Sequence, residues 1–156
     1  LRYVQERFSK ICIRSCLSNL SVQFRTSKEE GPKLIVGSLT SEQENLDTLM
    51  HIIVAQNIGW DVTYVGGNIP HDEMIYIANK ISARAMVLAF NNSRDISRKA
   101  HEIRVIKNEA QQKDNIVLIG SEVSNFRQLA DDVKALISND LSSFRLTMER
   151  LYGLIR

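Results

Sequence analysis

The sequence lacks the features that mark secreted, membrane and nucleic-acid-binding proteins. It has only two cysteines, and its 20 Lys and Arg residues exceed its 18 Asp and Glu residues by just 2, too small an excess to attract nucleic acid by bulk charge. No apolar run approaches the roughly 20 residues that a membrane-spanning helix needs. With 44% hydrophobic residues in a chain of 156, these absences predict a cytoplasmic globular protein with one core.

The first 24 residues are predicted to form one amphipathic helix. Apolar side chains recur there at helical spacing: Val4, Phe8, Ile11, Cys12 and Leu20. Arg7, Lys10 and Arg14 form a basic side and interrupt the apolar stretch, which argues against a signal peptide. Cys12 and Cys16 lie one turn apart with no histidine or further cysteine nearby, so we interpret them as helix-face residues and not as metal ligands.

Beyond a polar linker at 25–32, short apolar runs alternate with amphipathic segments. The apolar runs predict five strands, at 33–38, 60–65, 85–90, 115–120 and 134–138. The helix that ends at Gly59 is predicted from apolar residues at helical spacing: Leu46, Leu49, Met50 and Ile53. Pro70 is expected to open the next helix and Asp140 to cap the last one.

This alternation predicts an α/β fold. Strands that are almost continuously Val, Ile and Leu are covered on both faces, which is typical of a parallel sheet with right-handed crossovers. We therefore predict a flavodoxin-like (Rossmann-like) doubly wound five-stranded parallel sheet in the order 2-1-3-4-5, preceded by one amphipathic helix.

A ligand of such a sheet is expected beyond the carboxyl ends of the strands. Here those ends lie at 38–44, 90–95 and 120–125, with 66–68 at one side. The third strand ends without the aspartate of a phosphorylated receiver domain, and no G-x-G-x-x-G follows any strand, which excludes the usual dinucleotide site. No nucleophile and base recur in a catalytic pattern, so we expect a protein that is not an enzyme.

One stretch resembles a known family. The segment GWDVTYVGGNIPHDEM (59–74) is similar to the second strand–helix unit of the cobalamin-binding (B12-binding) domains of MerR-type transcription regulators, including the light-sensing repressors that use adenosylcobalamin. The likeness extends to ARAMVLAF (83–90), IVLIGS (116–121) and ISNDLSSF (137–144), which resemble the family's third and fourth strands and its last strand with its helix cap.

The first helix resembles the last helix of the bundle that covers the cofactor in that family. The resemblance implies that 1–24 is a remnant of this bundle, 25–32 a linker, and 33–156 a cobalamin-binding-like domain. Because the chain begins at Leu1, we expect the rest of the bundle and a DNA-binding helix-turn-helix domain upstream. A regulator of this kind is also expected to be a homo-oligomer. Glu6 and Arg7 occupy the place of the pair that reaches the cofactor's upper face, although a surface ion pair is the equal alternative.

The resemblance also identifies a changed cofactor motif after the first strand. The family has D/E-x-H-x-x-G there, with the histidine as lower axial ligand of cobalt, and this chain has Glu42 at the acidic position, Glu44 at the histidine and Asp47 at the glycine. A carboxylate beside Glu42 brings two like charges together and offers no nitrogen. Glu44 is alternatively a solvated residue of the first helical turn.

Two further motifs of the family are altered. Its Ser-x-Leu after the third strand is Ala89, Phe90 and Asn91 here, and its Gly-Gly after the fourth strand is Gly120 and Ser121. The serine hydroxyl and the second glycine, which give the cofactor's nucleotide tail a hydrogen bond and close backbone approach, are both lost.

These changes predict a sensory domain of a transcription regulator that does not bind cobalamin in the usual histidine-ligated mode. The alternatives are a true cobalamin or haem sensor, a corrinoid carrier domain of a methyltransferase or mutase, and an interaction domain that kept only the fold. His51, His71 and His101 share no metal-site spacing and are expected at the surface.

Overall fold

The computed structural model describes residues 2–26, 31–40, 46–91, 96–111, 115–121 and 123–153. Its helices and strands follow the predicted alternation: α1 (Arg2–Thr26), β1 (Lys33–Ser38), α2 (Leu46–Ile58), β2 (Asp61–Tyr64), α3 (His71–Lys80), β3 (Ala85–Ala89), α4 (Ile96–Glu109), β4 (Ile116–Ile119), a 3-10 turn (Val123–Phe126), α5 (Arg127–Val133), β5 (Leu136–Ile137) and α6 (Leu141–Tyr152). No helix in these ranges is long and apolar enough to cross a membrane.

The five strands form one parallel sheet in the order β2-β1-β3-β4-β5, which confirms the predicted topology. All five residues of β3 and all four of β4 are buried, as expected for strands covered on both faces. In the register of the central pair, Leu34 lies opposite Ala85 and Ser38 opposite Ala89, so β1 and β3 end together. The carboxyl ends of the central strands therefore meet at one edge of the sheet.

Alternate residues of β1, β3 and β4 supply two cores, one on each face of the sheet. On one face, Ile35 and Leu88 pack with residues of α3, α4 and α5. On the other face, Leu34 and Val87 pack with α2 and α6. Trp60 belongs to this second core, with 3% of its surface exposed, and its indole N–H donates to the Met148 carbonyl at 3.2 Å. Trp60 is therefore a core residue.

The buried face of α2 differs from the apolar face expected from sequence. The buried residues of this helix are Thr48, His51, Ile52, Ala55 and Gln56. Leu46, Leu49, Met50 and Ile53 are only half-buried. The physical reason is that α2 lies between two neighbours: it packs on the sheet, and α1 packs against α2 from outside. A helix covered on two sides carries apolar residues on both.

The cap predicted at Asp140 is confirmed. Its carboxylate accepts the Ser143 backbone N–H at 2.7 Å, and the Ser143 hydroxyl accepts the Asp140 N–H at 3.3 Å, which completes a capping box at the start of α6. Hydrogen bonds to the carboxylate, first from the Ser143 backbone N–H and then from the Ser143 side chain, lower the pKa of the Asp140 carboxyl from its ordinary 3.8. The stabilisation is therefore present above pH 3.8 and lost as the pH falls through the lower folded-state pKa.

We expect Asp140→Ala to lower the free energy of unfolding at pH 7 by more than it does at pH 3, because the wild-type cap weakens when the carboxylate is protonated. Urea denaturation of both proteins at the two pH values measures this difference. The exposed Asp132→Ala variant is the control, and a loss for Asp140→Ala that is the same at both pH values would contradict the prediction.

Candidate binding site at the carboxyl edge of the sheet

Buried hydroxyl groups close the end of β1. The Ser38 hydroxyl donates to the Ala89 carbonyl at 2.9 Å and accepts the Thr40 backbone N–H at 3.1 Å. The two side-chain oxygens of Ser38 and Thr40 lie 2.9 Å apart, and both residues are at most 4% exposed. Buried polar groups of this kind are satisfied by one another, so they tie the ends of β1 and β3 together.

The connection between β2 and α3 is held against the same strand end. The Ser38 N–H donates to the Gly66 carbonyl at 2.9 Å, Asn68 N–H to Thr40 at 2.8 Å, and Ile69 N–H to Ser38 at 3.2 Å. Asn68 has a φ of +53°, a left-handed conformation that asparagine tolerates better than most residues. This connection is therefore fixed in position at the sheet edge.

Asn91 links three elements at the edge. Its side-chain N–H donates to the Thr48 hydroxyl of α2 at 3.3 Å, and its side-chain oxygen accepts the Ser121 N–H at 3.3 Å. The Ser121 hydroxyl donates to the Asn91 carbonyl at 3.0 Å. Thr48 is 1% exposed, so the amide reaches into the protein and joins α2 to the segments that follow β3 and β4.

Gly120 sits against the backbone that follows β3. Its φ is +116°, and a Cβ placed on it would lie 2.5 Å from the Phe90 carbonyl oxygen and 2.7 Å from the side-chain oxygen of Asn91. Beneath it, the rings of Phe90 and Phe126 pack with centroids 4.6 Å apart. The close approach that requires a glycine here is thus made by the chain's own backbone.

His51 is a buried group that the sequence interpretation placed at the surface, which is wrong. It is 3% exposed, its Nδ1 lies 2.7 Å from the Asp47 carbonyl, and its ring packs edge-on against Phe144 at 4.8 Å. Its Nε2 is buried without a hydrogen-bond partner. The periodicity of the buried α2 residues, with Thr48 and Ala55 on the same face, is the signal that would have identified this position.

The remaining predicted site residues lie in different places. Glu42 and Glu44 lie outside the described residues. Asp47 is in the first turn of α2, with a carboxylate oxygen 3.7 Å from His51 Nδ1. Glu6 and Arg7 are exposed on α1, where Glu6 forms an ion pair with Lys10 at 2.9 Å. The structure thus brings Ala89, Asn91, Gly120 and Ser121 together at the edge, with Asp47 on the adjoining helix.

A metal centre is not formed by the described part of the chain. No group of three or more His, Cys, Asp or Glu side chains in it could hold a metal ion. Cys12 and Cys16 are both exposed and unbridged on α1, in agreement with their interpretation as helix-face residues.

Comparison with solved structures identifies the fold. No protein-family model and no curated protein matches the chain. A cobalamin-binding protein from Desulfitobacterium hafniense DCB-2 superimposes with a TM-score of 0.66 at 14% identity, covering 78% of this chain and 59% of that one. The monomethylamine corrinoid protein of Methanosarcina barkeri gives 0.67 at 11%, covering 91% and 68%.

The chain therefore spans less than two thirds of the first of these proteins. At such low identities the likeness establishes the fold, a Rossmann-like parallel sheet with flanking helices of the kind found in cobalamin-binding proteins. The predicted fold class is confirmed.

Proposed function

We propose that this chain is the sensory domain of a transcription regulator, that it is not an enzyme, and that it does not hold cobalamin in the histidine-ligated, tail-inserted mode. The cobalamin-binding-domain fold supports the first part, together with the resemblance of GWDVTYVGGNIPHDEM (59–74) to MerR-type sensors. The bonding at the sheet edge supports the last part.

The observation that carries the proposal is the bridge made by Asn91. A nucleotide tail that enters beside the sheet needs open space next to Gly120 and the residue after it. Here the Asn91 amide spans that space, bonded to Thr48 on one side and Ser121 on the other. A Cβ on Gly120 would meet the Asn91 side chain at 2.7 Å, so the glycine leaves no cradle for a ligand. The residues present do not fit the tail.

The nitrogen that cobalt requires is also poorly placed. His51 fixes its Nδ1 on the Asp47 carbonyl and leaves Nε2 without a hydrogen bond, which is the arrangement of a ligating imidazole. However, its ring is 3% exposed and lies against Phe144 of α6. A corrin ring that docks on the outer edge of the sheet does not reach a nitrogen buried between α2 and α6.

Helix α1 supports a place within a larger assembly. Its 25 residues expose several large apolar side chains, among them Val4 at 65%, Phe8 at 67% and Val22 at 61%. Six residues of α1 recur at alternating spacings of four and three, and we refer to them together as the exposed stripe: Val4, Phe8, Ile11, Ser15, Ser18 and Val22. Four of its six positions are apolar, and Ser15 and Ser18 lie between Ile11 and Val22. A mainly apolar stripe with this spacing is typical of a helix that packs against other helices. We propose that it joins the bundle of a homo-oligomeric regulator that contacts DNA through a helix-turn-helix domain.

The alternative is a domain that binds cobalamin, as a sensor or as a corrinoid carrier. It is favoured by the functions named for the two similar structures, a cobalamin-binding protein and a corrinoid protein. A carrier of this kind needs the tail pocket that Asn91 and Ser121 occupy here, and we therefore rank it second.

Titration with hydroxocobalamin, adenosylcobalamin and haemin, followed by absorbance, tests the proposal. We expect no spectral shift at ligand concentrations that saturate a cobalamin-binding protein of the same fold used as positive control. A stoichiometric shift with either cobalamin would establish the alternative instead. For the regulatory half, we expect the full-length gene product to retard DNA from upstream of its own gene in an electrophoretic mobility assay. Absence of specific retardation would contradict it.

A further inference from the structure

A cleft of about 360 Å³ opens on the face of the sheet opposite α2 and α6. It lies between the β2–α3 connection and the first turns of α4, with these lining residues: Asn68, Ile69, Pro70, His71, Arg98, Lys99, His101 and Glu102. Its volume falls within the range of small-molecule clefts, about 300–1,000 Å³. Two imidazoles, two cations, one carboxylate and one amide thus surround a single space.

The first wall of the cleft is preorganised by the end of β1. Asn68 N–H donates to the Thr40 carbonyl at 2.8 Å and Ile69 N–H to Ser38 at 3.2 Å, so both residues are fixed before any ligand arrives. Pro70 follows as the N-cap of α3 and provides no side-chain hydrogen bond to the first amides of that helix. His71, half-buried, is the first residue of α3.

The second wall is organised by the buried carboxylate of Glu102, a residue that is 8% exposed. Lys99 Nζ lies 3.3 Å from one of its oxygens, and Arg98 Nε lies 3.4 Å from the other. Only 15% of the Lys99 side chain is exposed, so this cation is held against α4 and does not extend into solvent. The buried carboxylate thus fixes the Lys99 ammonium at the cleft, whereas the Arg98 side chain, 73% exposed, approaches Glu102 from the solvent side.

The charges select the kind of ligand. Arg98 and Lys99 against Glu102 leave one net positive charge on the lining, two minus one, before either histidine is protonated. The Glu102 carboxylate already faces two cations, so a cationic ligand would meet repulsion from them. An anion would meet the cations, two imidazole N–H groups and the Asn68 amide. Arg and Lys side chains are common ligands of phosphate.

We propose that this cleft binds a small phosphorylated ligand. The phosphate lies between Lys99 and Arg98 on α4 and His71 on α3, and the volume leaves room for a sugar or nucleoside next to it. Asp72 and Glu73, in the first turn of α3, are exposed and are not part of the lining. The proposal is independent of the proposed regulatory function, because it rests only on the walls of the cleft.

Titrations monitored by backbone amide NMR test the proposal, with inorganic phosphate, pyrophosphate, ribose 5-phosphate, AMP and ADP as separate probes and sodium chloride at equal ionic strength as the blank. We expect saturable shifts concentrated at 68–71 and 98–102 for at least one probe. The sugar and nucleotide probes separate a phosphorylated metabolite from a free phosphate ion, since the former should bind more tightly if the remaining volume is used.

Two variants locate the site. Lys99→Met combined with Glu102→Gln removes the Lys99 ammonium without leaving an unpaired buried carboxylate, and it keeps the net charge of the lining at plus one. We expect the best probe to bind at least about tenfold more weakly, a loss that reports the direct contact between Lys99 and the phosphate and not the net charge. His101→Gln changes an exposed residue and should weaken binding severalfold in a folded protein even if the double variant unfolds. Arg104→Gln, on the exposed part of α4, is the matched control and should bind like the wild type. No saturable shift with any probe, or shifts that survive both cleft variants, would overturn the proposal.

Discussion

Replacing Gly120 with alanine is expected to lower the free energy of unfolding by about 4 kcal/mol. Two costs combine. The φ of +116° is unfavourable for an L-residue, and the new Cβ would lie 2.5 Å from a backbone carbonyl oxygen that cannot rotate away. Urea denaturation monitored by tryptophan fluorescence measures the loss, since Trp60 is the only tryptophan.

Gly153→Ala separates the two costs. Gly153 also has a positive φ, +93°, but nothing lies within 4 Å of a Cβ built there. We expect it to lose only about 1 kcal/mol, the conformational part alone. If Gly120→Ala were no worse than Gly153→Ala, the space beside Gly120 would be open, and the strand edge would be available to a ligand after all. The stability of one variant therefore bears directly on whether the domain has kept a cofactor cradle.

The fold could be predicted from the sequence because its signals are local. Each strand is a short apolar run, and burial on both faces follows from runs such as AMVLA in β3. The weakest run gave the least accurate strand: β5 has two residues where five were predicted, and Leu136 is exposed at the sheet edge. The signal for the cap at Asp140 was also local, because a capping box involves only four consecutive residues, here from Asp140 to Ser143.

The site could be predicted only in part, because its bonds join residues distant in sequence. That Asn91 would stand at the edge followed from its place after the third strand. Its bonds to Thr48 and Ser121, 43 and 30 residues away, depend on the packing of three elements. His51 was misplaced for a similar reason: its burial depends on α6, whose Phe144 covers the ring. Thr48, His51 and Gln56 are polar residue types, yet they lie on the buried face of α2.

The second large effect that we expect is a change in self-association, and it concerns helix α1. We expect residues 1–156 to self-associate through the exposed stripe, because Val4, Phe8 and Ile11 otherwise leave a contiguous apolar surface in water. Of the α1 side chains whose burial is described, Leu17 and Ser21 are half-buried; Leu17 lies on a different side of the helix from the stripe, and Ser21 lies on the flank of the stripe, one heptad after Arg14. Over the part of α1 that precedes Leu17, packing on a second copy is therefore compatible with packing on α2.

The charges beside the stripe favour a parallel pair of helices. Arg7 and Arg14 lie one heptad apart on one flank, and the other flank carries neutral residues, including Cys12 and Asn19. In a parallel coiled coil the two flanks of different copies face each other, so each arginine meets a neutral residue. In an antiparallel pair like flanks meet, and arginine would oppose arginine.

Phe8→Glu should therefore raise the dissociation constant of the dimer by at least about tenfold while leaving the denaturation midpoint of the α/β domain unchanged. Sedimentation velocity over a concentration series measures the first quantity and circular dichroism the second. Tyr76→Glu is the matched control, since Tyr76 on α3 is 64% exposed against 67% for Phe8 but lies off the stripe. Equal loss of association in both variants would show that exposed apolar area in general drives it. A chain that stays monomeric at every concentration would contradict the prediction.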